Sequence, residues 1–373
     1  MFCPAFSPTS STFRSTRPHR LAVVMILAAL APAPVRADHA PATFSIVAYD
    51  STTQELGVAV ESKYFSVGRV VPWAEAGVGA VATQANVNAS YGPQALDLLR
   101  AGRSPAEILR TFASRDSSWD SRQLGIVDAR GRAVTWTGPK CNTWAGGEAG
   151  VAFACQGNIL AGPAVVADMA KAFRARRGEL AERMVAALEA AQAAGGDKRG
   201  QQSAALIVVR PSARHPEYAH RYVDLRVEDH ATPIAELRRL WQIHQGFHGA
   251  GSHMDMAAEY QAAGRADLAA AERERVHETL LDVLSRDVKD ASLLNGLAWA
   301  CAEHDLHLRD ALRAAERAAA LEPKSTDILD TLAEVHFRMG HRDQALEVER
   351  RALAMDASNP YLASQVKRFE AGR

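Results

Sequence analysis

Thr43 and Ser45 head the alternating stretch TFSIVAYD and fall on one face of the strand that this alternation predicts. They come directly after a segment that reads as a processing region, where an N-terminal nucleophile would sit. A Thr or Ser freed at a chain terminus brings its own base, because the α-amine, with a reference pKa of about 7.7–8.0, can take the hydroxyl proton directly or through one water. A nearby cation holds that amine neutral. Lys63, closing the following strand in GVAVESK, is the candidate, since antiparallel pairing brings the end of that strand beside the start of the first. Glu61 would orient the lysine or the terminus, and Arg69 is a substitute cation. Thr83, Gln84, Asn86 and Asn88 in TQANVNASYG form a polar cluster after a strand, able to donate hydrogen bonds to an oxyanion or a substrate amide, or else to cap the next helix. Asn158 in CQGNILAG and Ser203 in RGQQSAAL are Gly-flanked polar positions that would either line a site or satisfy turns. The bland reading of Thr43 and Ser45 is that they are β-formers in an inactive fold, with Thr43 at an exposed strand end.

The elements that must position these residues follow from periodicity. TFSIVAYD, a polar turn and LGVAVES form a hairpin, and VGRVVPWAEAGVGAVATQ continues as Val-rich strand material. GPQALDLLRAG switches to helical spacing; Ser104-Pro105, with Glu107 at the capping-box position, opens a second helix. RQLGIVDARGRAVTWTG is again hairpin-like, with its turn at residues 128–131. Residues 162–194 read as one or two amphipathic helices, followed by the strands QQSAALIVVR and YVDLRVEDH and the helix TPIAELRRLWQIH. Strands and helices in separate runs argue for an α+β layered fold with antiparallel sheets.

The chain has 373 residues, with 43 Lys plus Arg against 43 Asp plus Glu and 47% hydrophobic residues, an ordinary globular composition sufficient for two domains. Zero formal net charge gives no sign of a nucleic-acid partner. Arg14, Arg17 and Arg20 precede the apolar run LAVVMILAAL, and small residues follow up to Ala37, which is the layout of a secretory signal over residues 1–37. Its removal would leave a periplasmic or secreted protein with no membrane span. Cys141, Cys155 and Cys301 would remain; the first two could bridge in an oxidising compartment or stay as small apolar side chains. No His or Cys cluster proposes a metal, no cofactor is implied, and the 13 His read mostly as solvated surface.

After about residue 245 the composition changes. GFHGAGSHMDM lacks apolar periodicity and reads as a linker over 241–255, which implies two separate cores. In the Ala- and Leu-rich tail, DALRAAERAAALEP matches QALEVERRALAMDA at a period of 34, Leu297-Ala298 matches Leu332-Ala333 at 35, and a weaker copy begins near Ala258. A helix–turn–helix period of this length resembles the tetratricopeptide repeat and implies a short helical array over 256–373, with a candidate peptide-binding groove.

The strings TFSIVAYD, ELGVAVESKYFSVG, VVPWAEAGVGAVATQ, SYGPQALDLLRAG, GNILAGPAVVADM and AGGDKRGQQSAALIVVR resemble, in order, the bacterial family called domain of unknown function 1028 over about residues 43–240. That family is assigned to the N-terminal-nucleophile (Ntn) hydrolase superfamily. The resemblance implies an αββα four-layer sandwich and the hydrolysis of an amide or peptide substrate, with Thr43 as the nucleophile. By its likeness to the start of a proteasome β-subunit, Glu61-Ser62-Lys63 would lie near that nucleophile. The competing expectation is a non-catalytic cell-envelope scaffold whose helical repeats hold a protein partner.

Overall fold

The computed structural model describes residues 43–212, 220–286 and 288–372, apart from the side chains of residues 246 and 247. The expected export segment, residues 1–37, lies outside the described residues. Alternating apolar residues make Thr43–Asp50 (β1) and Glu55–Ser62 (β2) an antiparallel hairpin, in register from Thr43↔Ser62 to Asp50↔Glu55. The remaining strands are Pro72–Glu75 (β3), Gly79–Ala85 (β4), Arg122–Asp128 (β5), Ala133–Thr137 (β6), Gly146–Gly150 (β7), Phe153–Asn158 (β8), Ser203–Val209 (β9) and Arg221–Val227 (β10). They form a six-stranded sheet in the order β10-β9-β2-β1-β8-β7 and a four-stranded sheet in the order β3-β4-β5-β6. Every strand pair is antiparallel, as the grouping of elements along the chain predicts.

Because side chains alternate across a strand, β1 serves two cores at once. Phe44, Ile46 and Ala48 pack with Met169, Phe173, Met184 and Leu188 of the helices Ala164–Ala175 (α3) and Leu180–Ala193 (α4). Val47, Val58 and Val60 face the other way, onto Ala80, Ala82 and Val127 of the second sheet. On that sheet's outer face Val81, Leu124 and Ile126 pack against Tyr91, Leu96, Ile108 and Phe112 of the helices Tyr91–Arg100 (α1) and Pro105–Ala113 (α2). The start of α2 is the expected capping box: Ser104 and Glu107 bond each other's backbone N–H, and Pro105 fills the first helical position.

The hairpin β7–β8 had no counterpart among the expected strands. GGEAG has no β-branched or aromatic residue to signal a strand, and β8 owes its conformation to the partners on its two sides, β1 and β7. Cys141, Cys155 and Cys301 are all free and buried, so they act as small apolar side chains.

The stretch expected as a linker is helical. Pro233–His244 (α5) runs through a π-helical turn at Gln245–Gly249 into Ala250–Ala262 (α6). The buried side of α6 includes His253 and Glu259 beside Ala250, Met254 and Met256, a mixed face that apolar periodicity does not detect. His253 thereby departs from the expected solvated histidines: its ring lies between Glu179, 3.3 Å away, and Glu272, 2.6 Å away, and touches the Tyr222 hydroxyl. Beyond it come Ala266–Ser285 (α7), Ala291–Glu303 (α8), Leu308–Leu321 (α9), Thr326–Arg338 (α10), Arg342–Met355 (α11) and Pro360–Ala371 (α12). The starts of α9 and α11 are 34 residues apart and those of α8 and α10 are 35 apart, the two offsets read from the sequence. Ala311, Ala314, Ala315, Ala318 and Ala352 are buried where these helices meet. Among the described residues no helix is long and apolar enough to cross a membrane.

Candidate functional site

The registers of β8, β1, β2 and β9 align four polar residues in one row across the large sheet: Asn158, Thr43, Ser62 and Ser203. All four lie on the face that looks toward the second sheet, since they share the alternation of Val47 and Val58. The next row holds Gln156 and Ser45. Gln84 and Gln123, paired on β4 and β5, come from the opposite sheet. The inter-sheet space is therefore apolar over Val47, Val58 and Ile207 and polar at the end where β1 begins.

This polar end is a connected network. Thr43 Oγ1 is 3.1 Å from Ser62 Oγ. Ser45 Oγ donates to Gln84 Oε1 at 2.6 Å and accepts from Gln156 Nε2 at 2.7 Å. Gln84 Nε2 donates to Thr43 O at 3.2 Å and Gln123 Oε1 at 2.8 Å, and Asn158 Nδ2 donates to the same Gln123 oxygen at 2.9 Å. Gln123 Nε2 closes the network on Thr137 Oγ1 and the Gly157 carbonyl, both at 2.8 Å. Thr43 and Ser45 are completely buried, so Thr43 is not the exposed strand end that its position suggests. Gly125 makes room for this arrangement: a Cβ there would stand 2.2 Å from Gln156 Oε1.

Of the residues expected at a site, the structure brings Thr43, Ser45, Gln84 and Asn158 together. Thr83 is one residue out of phase with Gln84, faces the helices α1 and α2, and bonds the Asn88 carbonyl. Asn86 is exposed and bonds Ser121 Oγ at 3.2 Å. Ser203 belongs to the row, but its hydroxyl accepts from the Val67 N–H at 3.0 Å and donates to the Tyr64 carbonyl, which ties down the loop after β2. Glu61 is on the opposite face of β2 from Ser62, again by alternation, and Lys63 follows the last residue of the strand with its charge acting on Glu61. Burial pushes the Glu61 carboxyl well above its usual pKa and Asp197 adds to this; the Gln202 backbone, Arg199 and Lys63 pull it back. Lys63 is exposed, its ammonium donating to the Gln201 carbonyl at 3.1 Å, on the side away from the Thr43 hydroxyl.

Sequence reasoning missed Gln123, Gln156 and Thr137. Each is an inward-facing polar residue of a strand, Gln123 on β5, Thr137 on β6 and Gln156 on β8, and the available signal was that these inward faces turn polar toward one end of the strand. One His-containing group among the described residues could offer ligand atoms to a metal: Glu274, His277 and His307, whose atoms lie within 4.8 Å of one another. The two imidazoles are stacked, with centroids 3.5 Å apart and planes at 10°, so their in-plane lone pairs run in parallel planes rather than toward a shared point.

A protein of the DUF1028 family from Silicibacter pomeroyi, known from a crystal structure, is 33% identical, with a TM-score of 0.49 over 54% of this chain and 85% of that one. A search of curated proteins finds no match. Residues 43–237, just over half of the chain, match a family described as a family of unknown function, and the chain belongs to that family, DUF1028.

Proposed function

We propose that the chain, exported and cut between Ala42 and Thr43, hydrolyses an amide bond as an N-terminal-nucleophile enzyme. One observation carries this reading: Thr43 heads the central strand of the large sheet, with its hydroxyl turned into the polar end of the inter-sheet space, 3.1 Å from Ser62 Oγ. Helices outside two facing sheets support the αββα sandwich of that superfamily. The cut would convert the Thr43 amide nitrogen, a non-base, into an amine able to take the Oγ1 proton. Oγ1 would then attack the substrate carbonyl carbon, the amine would pass its proton to the leaving nitrogen, and water would hydrolyse the resulting ester. Amide donors from Asn158 and Gln84 stand close enough to serve the oxyanion if they give up their present acceptors. Lys63 has no part in this version, because it faces the other way, and Ser62 is the group beside the nucleophile.

The competing reading, a scaffold that binds a protein through tetratricopeptide-like helices, is favoured by the complete burial of Thr43 and Ser45. N-terminal sequencing of protein recovered from a native host, joined to an amide-hydrolysis screen of wild type and Thr43→Ala, separates the two. A chain starting at Thr43 whose activity vanishes in Thr43→Ala supports the hydrolase. A chain that keeps residues ahead of Thr43 and cleaves nothing sinks it in favour of the scaffold.

A further inference from the structure

At the far end of β1 from Thr43 lies a cavity of about 630 Å³, bounded by the β1–β2 turn, the α3–α4 loop and one face of α7. Seven residue steps along a strand separate Thr43 from Asp50, roughly 23 Å, so this cavity is distinct from the hydroxyl cluster. Its size is that of a small-molecule site. Five guanidinium groups line it: Arg174, Arg176, Arg177, Arg183 and Arg275. Three acids share the wall, Asp50, Glu274 and Glu278.

Asp50 organises the cationic side. Its Oδ1 accepts the Thr52 N–H at 2.9 Å, and its Oδ2 meets Arg183 Nη1 at 3.3 Å and Arg275 Nη2 at 3.2 Å. One carboxylate thus holds two guanidinium groups side by side, one from the layered domain and one from α7. The Arg183 guanidinium lies 4.2 Å over the Phe173 ring, which fixes its plane, and its Nε is buried with no hydrogen-bond partner. Arg176 Nε is likewise buried without a partner, although its Nη2 reaches Glu182 at 2.8 Å. Arg174 is paired with Glu148 outside the cavity wall. Arg177 is exposed and has no partner among the described residues. An arginine carries five donors and no acceptor. Arg174 and Arg176 are met in part by acids beyond the wall, Glu148, Glu182 and Asp282, but the wall still offers more N–H donors than its three acids accept, with Arg183 and Arg275 pinned together.

We infer that this cavity binds a small dianion, a phosphate-bearing molecule or a dicarboxylate, clamped between the layered domain and α7 by Arg183, Arg275 and Arg177. Both chemistries present paired oxygens that fit the guanidinium fork, whereas a neutral ligand would leave the donors unmet. The inference is independent of the Thr43 reading.

The test is calorimetric titration of the full chain at low ionic strength with pyrophosphate, inorganic phosphate and succinate, using sodium chloride of matched ionic strength as control. Saturable binding at one site is expected, weakened about tenfold or more in Arg177→Gln and in Arg183→Lys, which keeps the charge but loses the fork. Arg177 is exposed, so its variant retains the fold. Binding of the phosphates alone assigns the phosphate class, and binding of succinate alone assigns the dicarboxylate class. No binding beyond the chloride control, or binding equally tight in both variants, overturns the proposal.

Discussion

Ser45 shows how much can rest on one hydroxyl. It joins Gln84 from the second sheet to Gln156 from the next strand, and it is completely buried. Ser45→Ala leaves Gln84 Oε1 without its donor in a space that water does not reach, so a loss of about 1–3 kcal/mol is expected in urea unfolding. Thr43→Ala removes one hydroxyl–hydroxyl contact and a methyl group, and should cost about 1 kcal/mol. A Ser45→Ala loss below about 0.5 kcal/mol would mean that the hydroxyl bridge between sheets contributes little. At this scale the sequence named Thr43, Ser45, Gln84 and Asn158, because hydroxyls and amides at strand ends stand out. It misjudged Thr83, Glu61 and Lys63, because the sense of an alternation depends on which face meets the other sheet.

Among the elements, α6 departs most from its sequence signal. A helix whose buried face carries His253 and Glu259 has only a broken apolar stripe, and Gly251 within it argues for a loop on propensity alone. Gly251 is exposed, and a Cβ there would meet nothing within 4 Å. Gly251→Ala should therefore stabilise the chain by about 0.5–1 kcal/mol through helix propensity, read as a higher denaturation midpoint. An unchanged midpoint would indicate that the segment behaves as a linker in solution. The helices α9 and α11 were far more legible, because Ala at the positions where helices touch repeats with the same offset in sequence and structure.

On the scale of the whole molecule, two apolar cores meet across a seam of buried charge. Glu179 of the layered domain takes His253 from α6 and Thr279 from α7, with Tyr222 and Gln245 completing its shell. Burial alone would lower the His253 pKa, but the carboxylates of Glu179 and Glu272 outweigh it and raise it to about 9. Burial also raises Glu55, despite Arg210, to about 7. A raised pKa contributes stability that is full below the unfolded value and is lost as pH rises through the folded one. For His253 the window runs from about 6.5, the unfolded value, to 9. Stability should fall across that window with a slope of at most about 1.4 kcal/mol per pH unit for one proton, and His253→Gln should flatten it. A wild-type protein equally stable at pH 6.5 and pH 9 would show that His253 is not held protonated.

The sequence by itself determined what local periodicity encodes: the β1–β2 hairpin, the capped start of α2, the antiparallel grouping of strands and the 34-residue helical period. Each is written in the order of side chains along one segment. The tertiary structure alone decided which face of each strand meets which layer, and hence that Thr43 looks toward Gln84 while Lys63 looks away. It also decided that β7–β8 forms at all, and that arginines from α4 and α7 gather around Asp50. The last of these joins residues more than a hundred positions apart, Asp50 to Arg183 and Arg275, whose proximity follows from the packing of layers.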